Sequence, residues 1–243
     1  MLELNKIYHG DCLEVMKGIP DKSIDMILCD LPYGTTACKW DTIIPFEPLW
    51  EQYKRIIKDN GAIVLTGSQP FTSALVMSNP KWFKYEWIWD KKRSSNFALA
   101  NKIPMKTHEN VLVFYLKLPT YNPQMEIGKP YNKEKYNKVN NSQITNDKIF
   151  KINTKNNGTR FPTTIKYFSQ NWTRQQQSHP TQKPVALFEY LIKTYTNEGD
   201  LVLDNCAGSG TTGVACRNLK RNFILIEREL EYVKIAEDRL YVA

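Results

Sequence analysis

Apolar and polar positions along the chain alternate between two periods, one suited to strands and one to helices. Near the N-terminus "KIYHGD" reads as a short strand and "CLEVMKGI" as a short helix or turn. "SIDMILCD" is a strand whose unbroken apolar run suits burial on both faces of a parallel sheet. In "PFEPLWEQYKRIIKDNG", Leu49, Trp50, Tyr53, Ile56 and Ile57 recur at helical spacing, predicting a helix that Gly61 stops. "AIVLTGS" is a further buried strand, and a helix is predicted through "PFTSALVMS". "FKYEWIWDK" alternates as a strand does, and "ENVLVFYLK" is another strand. Regular patterning resumes at "HPTQKPVALFEYLIKTYTNEGD", where Pro184 suits a first helical turn and Leu187, Phe188, Leu191, Ile192 and Tyr195 form a buried stripe. A strand running into a glycine loop ("LVLDNCAGSGTT"), a short helix ("VACRNLK"), a strand ("NFILIE") and an amphipathic helix ("ELEYVKIAEDRL") follow. Alternating strands and helices with short connections predict an α/β fold: a parallel or mostly parallel sheet with helices on both faces.

Between Lys117 and Ser178 this patterning lapses into Asn, Lys, Tyr, Thr and Gln, as in "YNKEKYNKVNNSQITNDKIFKINTKNNGTR". Such a composition permits a disordered insertion. Its aromatics, among them Tyr121, Tyr131, Phe150, Phe161 and Trp172, argue for partial order. Insertions this long in a compact domain usually serve a function. The 243 residues suffice for one large domain carrying that insertion, and 42% hydrophobic content supports a packed core. A net charge of +8 favours polyanionic partners, because each phosphate contact releases condensed counterions. No apolar run reaches the length of a membrane span, and no basic segment followed by an apolar one opens the chain, so a cytoplasmic protein without membrane contact is expected. Cys12, Cys29, Cys38, Cys206 and Cys216 form neither close sequence pairs nor a metal-ligand spacing, and three histidines add little; reduced thiols and no metal are expected.

Two stretches carry chemistry. In "LVLDNCAGSGTTGVA", Asp204 ends a strand, and Gly208, Ser209, Gly210 and Thr211 lie where a turn opens a helix, so backbone amides and a helix N-terminus form a polar floor. No Lys follows Gly210, which sets this loop apart from a triphosphate-binding loop. Glu227 ends the next strand, a position suited to ribose hydroxyls, so a ribose-bearing cofactor is expected. In "MILCDLPYGTT" a buried strand ends in Asp30, Leu31, Pro32 and Tyr33, which read equally as a plain turn or as a site.

"DLPYG", "HENVLVF", "HPTQKP" and "DNCAGSGTT", in that order, resemble the permuted β group of DNA amino-methyltransferases, which methylate adenine N6 or cytosine N4 with S-adenosylmethionine. The resemblance spans nearly the whole chain outside the Asn/Lys-rich insertion. It implies a Rossmann-like methyltransferase sheet, circularly permuted: the strands that come first and second in the unpermuted fold stand at the C-terminus here, and the third and fourth at the N-terminus. It divides the chain into a catalytic part (1–116), a target-recognition insertion (117–178) and a cofactor-binding part (179–243).

The same resemblance assigns roles. The Asp30 side chain and the Leu31 carbonyl would accept hydrogen bonds from an exocyclic amine, turning its lone pair outward, and Tyr33 would stack on a base flipped from the duplex. Asp11 and Cys12 would lie against the cofactor's adenine, and His179, Thr181 and Lys183 near its methionine end. Asp30, Asp204, Cys206, the glycine loop and Glu227 complete that cofactor set. Apart from the resemblance, "KWD" and "KKRSSNF" would lie in loops near the same edge, making Lys39, Trp40, Lys91, Lys92 and Arg93 candidates for DNA contact, with a solvated charge run the equal alternative for the basic cluster. Two positions depart from the pattern: Leu31 stands where proline is common, tolerable for a backbone carbonyl, and Cys206 where phenylalanine is common, which alters packing. The implied partner is double-stranded DNA; a homodimer and a restriction endonuclease partner fit the resemblance, although no residue signals either. The leading expectation is site-specific adenine-N6 methylation. Cytosine N4 is the closest rival; RNA or protein amide methylation and a DNA-binding module without activity stand further off.

Overall fold

In a computed structural model the described residues are 2–35, 38, 41–138, 149–169 and 182–241. The chain divides into two compact units: Pro123–Thr163, and the remainder on either side of it.

The larger unit is built on an eight-stranded sheet. Its strands are β1 (Lys6–His9), β2 (Ile24–Cys29), β3 (Ile57–Gly67), β4 (Phe83–Ser95), β5 (Lys106–Phe114), β10 (Ile165–Tyr167), β11 (Leu201–Asp204) and β12 (Asn222–Glu227). They lie in the order β1-β12-β11-β2-β3-β5-β4-β10. From β1 to β3 every pairing is parallel, β5 runs antiparallel to β3 and β4, and β10 is parallel to β4. This is the expected Rossmann-like arrangement in permuted form. The last two strands of the chain sit inside the sheet, β12 against β1 and β11 against β2, so both termini contribute to one continuous floor.

Alternation along β2 explains why the sheet is covered twice. Ile27 and Cys29 point into one apolar layer with α1 (Cys12–Met16), α2 (Phe46–Ile56) and α3 (Phe71–Ser78), through residues such as Trp50, Tyr53 and Leu75. Met26 and Leu28 point into the opposite layer with α4 (Val185–Tyr195), α5 (Thr211–Asn218) and α6 (Leu230–Tyr241), through Phe188, Cys216 and Leu240. Side chains two apart share a face and neighbours oppose, so an unbroken apolar run is what a doubly covered strand requires. Among the described residues no helix is long and apolar enough to cross a membrane.

The smaller unit holds two antiparallel ladders, β6 (Glu126–Ile127) with β9 (Thr159–Arg160) and β7 (Tyr131–Lys138) with β8 (Ile149–Asn156). The Arg160 guanidinium lies 4.7 Å from the Tyr131 ring centre. Here the strands escape sequence reading because "YNKEKYNK" lacks an apolar face to set a period.

One expected boundary is corrected. α2 ends at Ile56, and Ile57 is already extended as the first residue of β3, so Gly61 does not stop a helix. A Cβ on Gly61 would meet Ile57 side-chain carbons at 2.7 Å and the Asp25 carbonyl at 2.8 Å, inside the stretch where the β2–β3 register shifts. Glycine is required there by close approach of two strands. Gly61→Ala is therefore expected to destabilise the fold by ~1–3 kcal/mol, a fall of roughly 3–10 °C in Tm by calorimetry. An unchanged Tm would show that the strands separate freely at this point.

Candidate active site

Parallel strands end on one edge of the sheet, and the chain's polar turns collect there. A cavity of about 650 Å³ opens along this edge, within the usual size range of small-molecule sites. Its lining includes Asp11, Cys12, Asp30, Leu31, Pro32, Tyr33, Lys91, Arg93, Lys183, Asp204, Cys206, Gly208, Ser209, Thr211 and Glu227. Residues from the two ends of the chain are thus brought to one site. Lys39, Trp40, His179 and Thr181 lie outside the described residues.

On one side is the glycine loop. Asp204, at the tip of β11, is buried; one oxygen accepts the Cys206 amide at 3.1 Å and the other accepts the Thr212 hydroxyl. Burial raises its pKa to about 7, while the bonds from Thr212 and Cys206 pull the other way. Glu227 accepts the Gly208 amide at 2.7 Å and the Glu229 amide at 2.8 Å, and its pKa is also raised by burial. The Cys29 thiol also donates to Asp204, and the Arg228 amide to Glu227, which with about four lone-pair sites keeps one for a ligand. Gly210 has φ +77°, and an added Cβ would stand 2.8 Å from Ala236 of α6, so helix packing as well as backbone conformation demands glycine. Asp11 caps α1, accepting the Leu13 amide at 2.9 Å.

Spacing along the chain gives no hint that Cys12, Cys29 and Cys206 meet, yet they lie together beneath the loop. The bond to Cys206 and burial push the Cys12 thiol up, and burial raises Cys29 to about 12, so both remain protonated thiols.

On the other side is the "DLPY" turn. The β2–β3 register sets Cys29 against Leu65, which brings the next residues, Asp30 and Thr66, side by side. Asp30 Oδ1 accepts the Tyr33 hydroxyl at 2.7 Å and the Thr66 hydroxyl; Oδ2 accepts Lys183 Nζ at 2.6 Å. The single Tyr33 proton lies within reach of Thr66 Oγ1 (2.8 Å) as well as Asp30, and the ring stacks on Phe71 with ring centres 5.1 Å apart. Asp41 clips the turn by accepting the Gly34 and Thr35 amides at 2.8 and 2.9 Å. Leu31 is buried and Pro32 half-buried.

Lys183, expected at the methionine end of a cofactor, is committed to two protein carboxylates, Asp30 and, at 3.3 Å, Glu109. Glu109 pairs in turn with Lys91, so Lys91 is engaged within the protein. Lys92 and Arg93 are exposed, with the Lys92 ammonium over the Tyr167 ring. Sequence reading missed Thr66, Asp41 and Glu109. Glu109 had a signal, since an acid inside the apolar run "HENVLVF" must find a cation if it is buried.

A family model described as DNA methylase (N6_N4_Mtase) matches residues 24–238. DNA adenine methyltransferase YhdJ of Escherichia coli (strain K12) is 30% identical, over 99% of this chain and 84% of its own. The crystal structure of the M1.HpyAVI–SAM complex superposes with a TM-score of 0.66 at 27% identity, covering 97% of this chain and 98% of that one. PvuII DNA methyltransferase, described as cytosine-N4-specific, shares the fold with a TM-score of 0.69 at 18% identity, over 96% of this chain and 85% of its own.

Asp204 ties this site to stability. A carboxyl with a raised folded pKa holds its proton more tightly in the fold than in the open chain. Stability therefore falls as pH rises from the ordinary value of 3.8 to about 7, and levels off above that. Asp204→Asn removes the buried charge but weakens two hydrogen bonds. At pH 8 it is expected to raise the Tm of the ligand-free protein by roughly 3–6 °C (about 1–2 kcal/mol net), the gain shrinking toward pH 5. Melting curves across pH check this; a loss of stability at pH 8 would contradict the burial cost.

Proposed function

The chain belongs to the N6/N4 DNA methylase family, and from that membership we propose that it methylates adenine N6 at specific sites in double-stranded DNA. It is an S-adenosylmethionine-dependent DNA methyltransferase; the choice of adenine is our reading. The observation that carries the proposal is a single cavity holding the "DLPY" turn beside the glycine loop and Glu227.

The residues present fit the donor. Glu227, at the end of β12, has acceptor capacity left for ribose hydroxyls, and Asp11 and Cys12 lie at the neighbouring tip of β1 to border an adenine. Asp204 and Glu227 make the floor acidic, which suits a ligand bearing an ammonium and a sulfonium. When bound, S-adenosylmethionine supplies a methyl group already activated by the positive charge on its sulfur.

The chain's own contribution is to prepare the acceptor. An exocyclic amine conjugated to a base ring is a poor nucleophile because its lone pair is delocalised. Hydrogen bonds from that amine to the Asp30 carboxylate and the Leu31 carbonyl favour a tetrahedral nitrogen with its lone pair facing the methyl. Asp30 is prepared for this: its oxygens already accept Tyr33, Thr66 and Lys183, so the incoming amine exchanges one donor for another. Tyr33 offers a ring for the flipped base. Positioning for in-line attack and a carboxylate aimed at the developing positive charge supply the rate.

Adenine is favoured by the aspartate-led "DLPY" and by the adenine methyltransferase named among the relatives. Cytosine N4 is the second reading, since the same amine chemistry is housed on this fold in the PvuII enzyme. We assign target recognition to the insertion, whose compact unit is Pro123–Thr163, and phosphate contact to the exposed Lys92 and Arg93.

Transfer of labelled methyl to DNA, followed by nucleoside mass spectrometry, is expected to yield N6-methyladenine. Recovery of N4-methylcytosine instead would move the assignment to the second reading. Asp30→Ala should lower kcat by ~10²-fold or more with cofactor affinity retained, whereas Glu227→Gln should weaken cofactor binding by about 10-fold in calorimetric titration. Wild-type-like transfer by Asp30→Ala would end the proposed role of the turn.

A further inference from the structure

Asp30, its side chain 22% exposed, is one end of a largely buried run of four charges of alternating sign. Lys183 Nζ lies 2.6 Å from Asp30 Oδ2 and 3.3 Å from Glu109 Oε2, and the other Glu109 oxygen pairs with Lys91. The four come from separate places in the fold: the turn after β2, the segment before α4, β5 and β4. The Lys183 side chain is 6% exposed, and those of Glu109 and Lys91 are 13% exposed. With two carboxylates and two ammoniums, the run is neutral.

We propose that Glu109 is a positioning residue for methyl transfer: it is the second seat of Lys183 and takes that ammonium from Asp30 when the substrate amine arrives. The inference rests on the reading of Asp30 as the amine acceptor. As the nitrogen–methyl bond forms, the electron pair of the breaking sulfur–carbon bond goes to sulfur, and positive charge passes to the nitrogen until it releases a proton to solvent water. An ammonium 2.6 Å from Asp30 opposes that charge and occupies the oxygen the amine needs. Lys183 cannot withdraw alone, because a buried, unpaired ammonium costs several kcal/mol. It must move toward another carboxylate within reach. Glu109 is that carboxylate: its Oε2 stands 3.3 Å from Nζ, longer than a charged hydrogen bond, so Lys183 can close on it as it swings away from Asp30. The move leaves the buried net charge unchanged. Burial acts to lower the pKa of Lys183, but the Asp30 and Glu109 carboxylates outweigh it and hold the group above its ordinary value, so a cation is what moves.

Three variants test this: Glu109→Gln, Glu109→Asp, and Glu109→Gln combined with Lys91→Met, which restores neutrality and guards against misfolding of the single variant. Single-turnover methyl transfer is measured at saturating DNA and S-adenosylmethionine, with cofactor Kd by calorimetry and Tm for each protein. Glu109→Gln is expected to slow transfer ~10–100-fold while the cofactor Kd changes less than about threefold. Glu109→Asp should recover part of the rate. The double variant should melt within a few degrees of the parent and remain slow. A near-parental rate in the double variant would reduce Glu109 to charge balance and overturn the proposal, as would a cofactor Kd that worsens in step with the rate. Asp30→Ala is the control for the underlying reading: if it transfers methyl like the parent, that reading falls and this inference with it. If only Asp30→Ala is slow and the Glu109 variants are not, this inference alone fails.

Discussion

A carboxylate withdrawn from water must be given donors, and in this protein the donors to Asp30 hold the active edge together. Tyr33 comes from the same turn, Thr66 from the end of β3 and Lys183 from the segment entering α4. The strand register that sets Cys29 against Leu65 is what brings Thr66 within reach. Lys183, being buried, then requires a second carboxylate, and Glu109 requires Lys91. Each pairing answers a desolvation cost created by the one before, so a single acid at a strand tip organises residues spread from Asp30 to Lys183.

The same logic governs the cofactor side in the opposite sense. Asp204 and Glu227 are buried among hydroxyls and amides, and that burial pushes both toward the protonated form. An acid-rich floor of this kind costs the ligand-free protein stability and suits a positively charged ligand, the usual trade between folding and function. Between the two sides, Cys12, Cys29 and Cys206 fill space as neutral thiols, where a charged group would have altered both.

Much of this was legible in the residues. The periodicity marked every strand of the sheet except three-residue β10, and the resemblance carried by the order of the motifs implied the permutation. Asp204, Gly208 and Glu227 were identifiable since acids and glycines directly after apolar runs fall at strand ends, whereas Asp30 and Tyr33 read equally as a plain turn and took roles only from the motif resemblance. The polar ladders of the insertion were not, because strands without an apolar face have no period to read.

What the sequence determined by itself was therefore local: which segments extend or coil, and which side chains stand at their tips. Partnership was decided by the tertiary structure. Gly61 reads as a helix stop until the approach of Asp25 and Ile57 shows it to be a strand contact. Lys183 reads as a loop residue facing a ligand until Glu109, from a distant strand, is found beside it. Hydrophobic periodicity is written along the chain, whereas the partner of a buried charge depends on which strands become neighbours, and that follows only from the packed sheet.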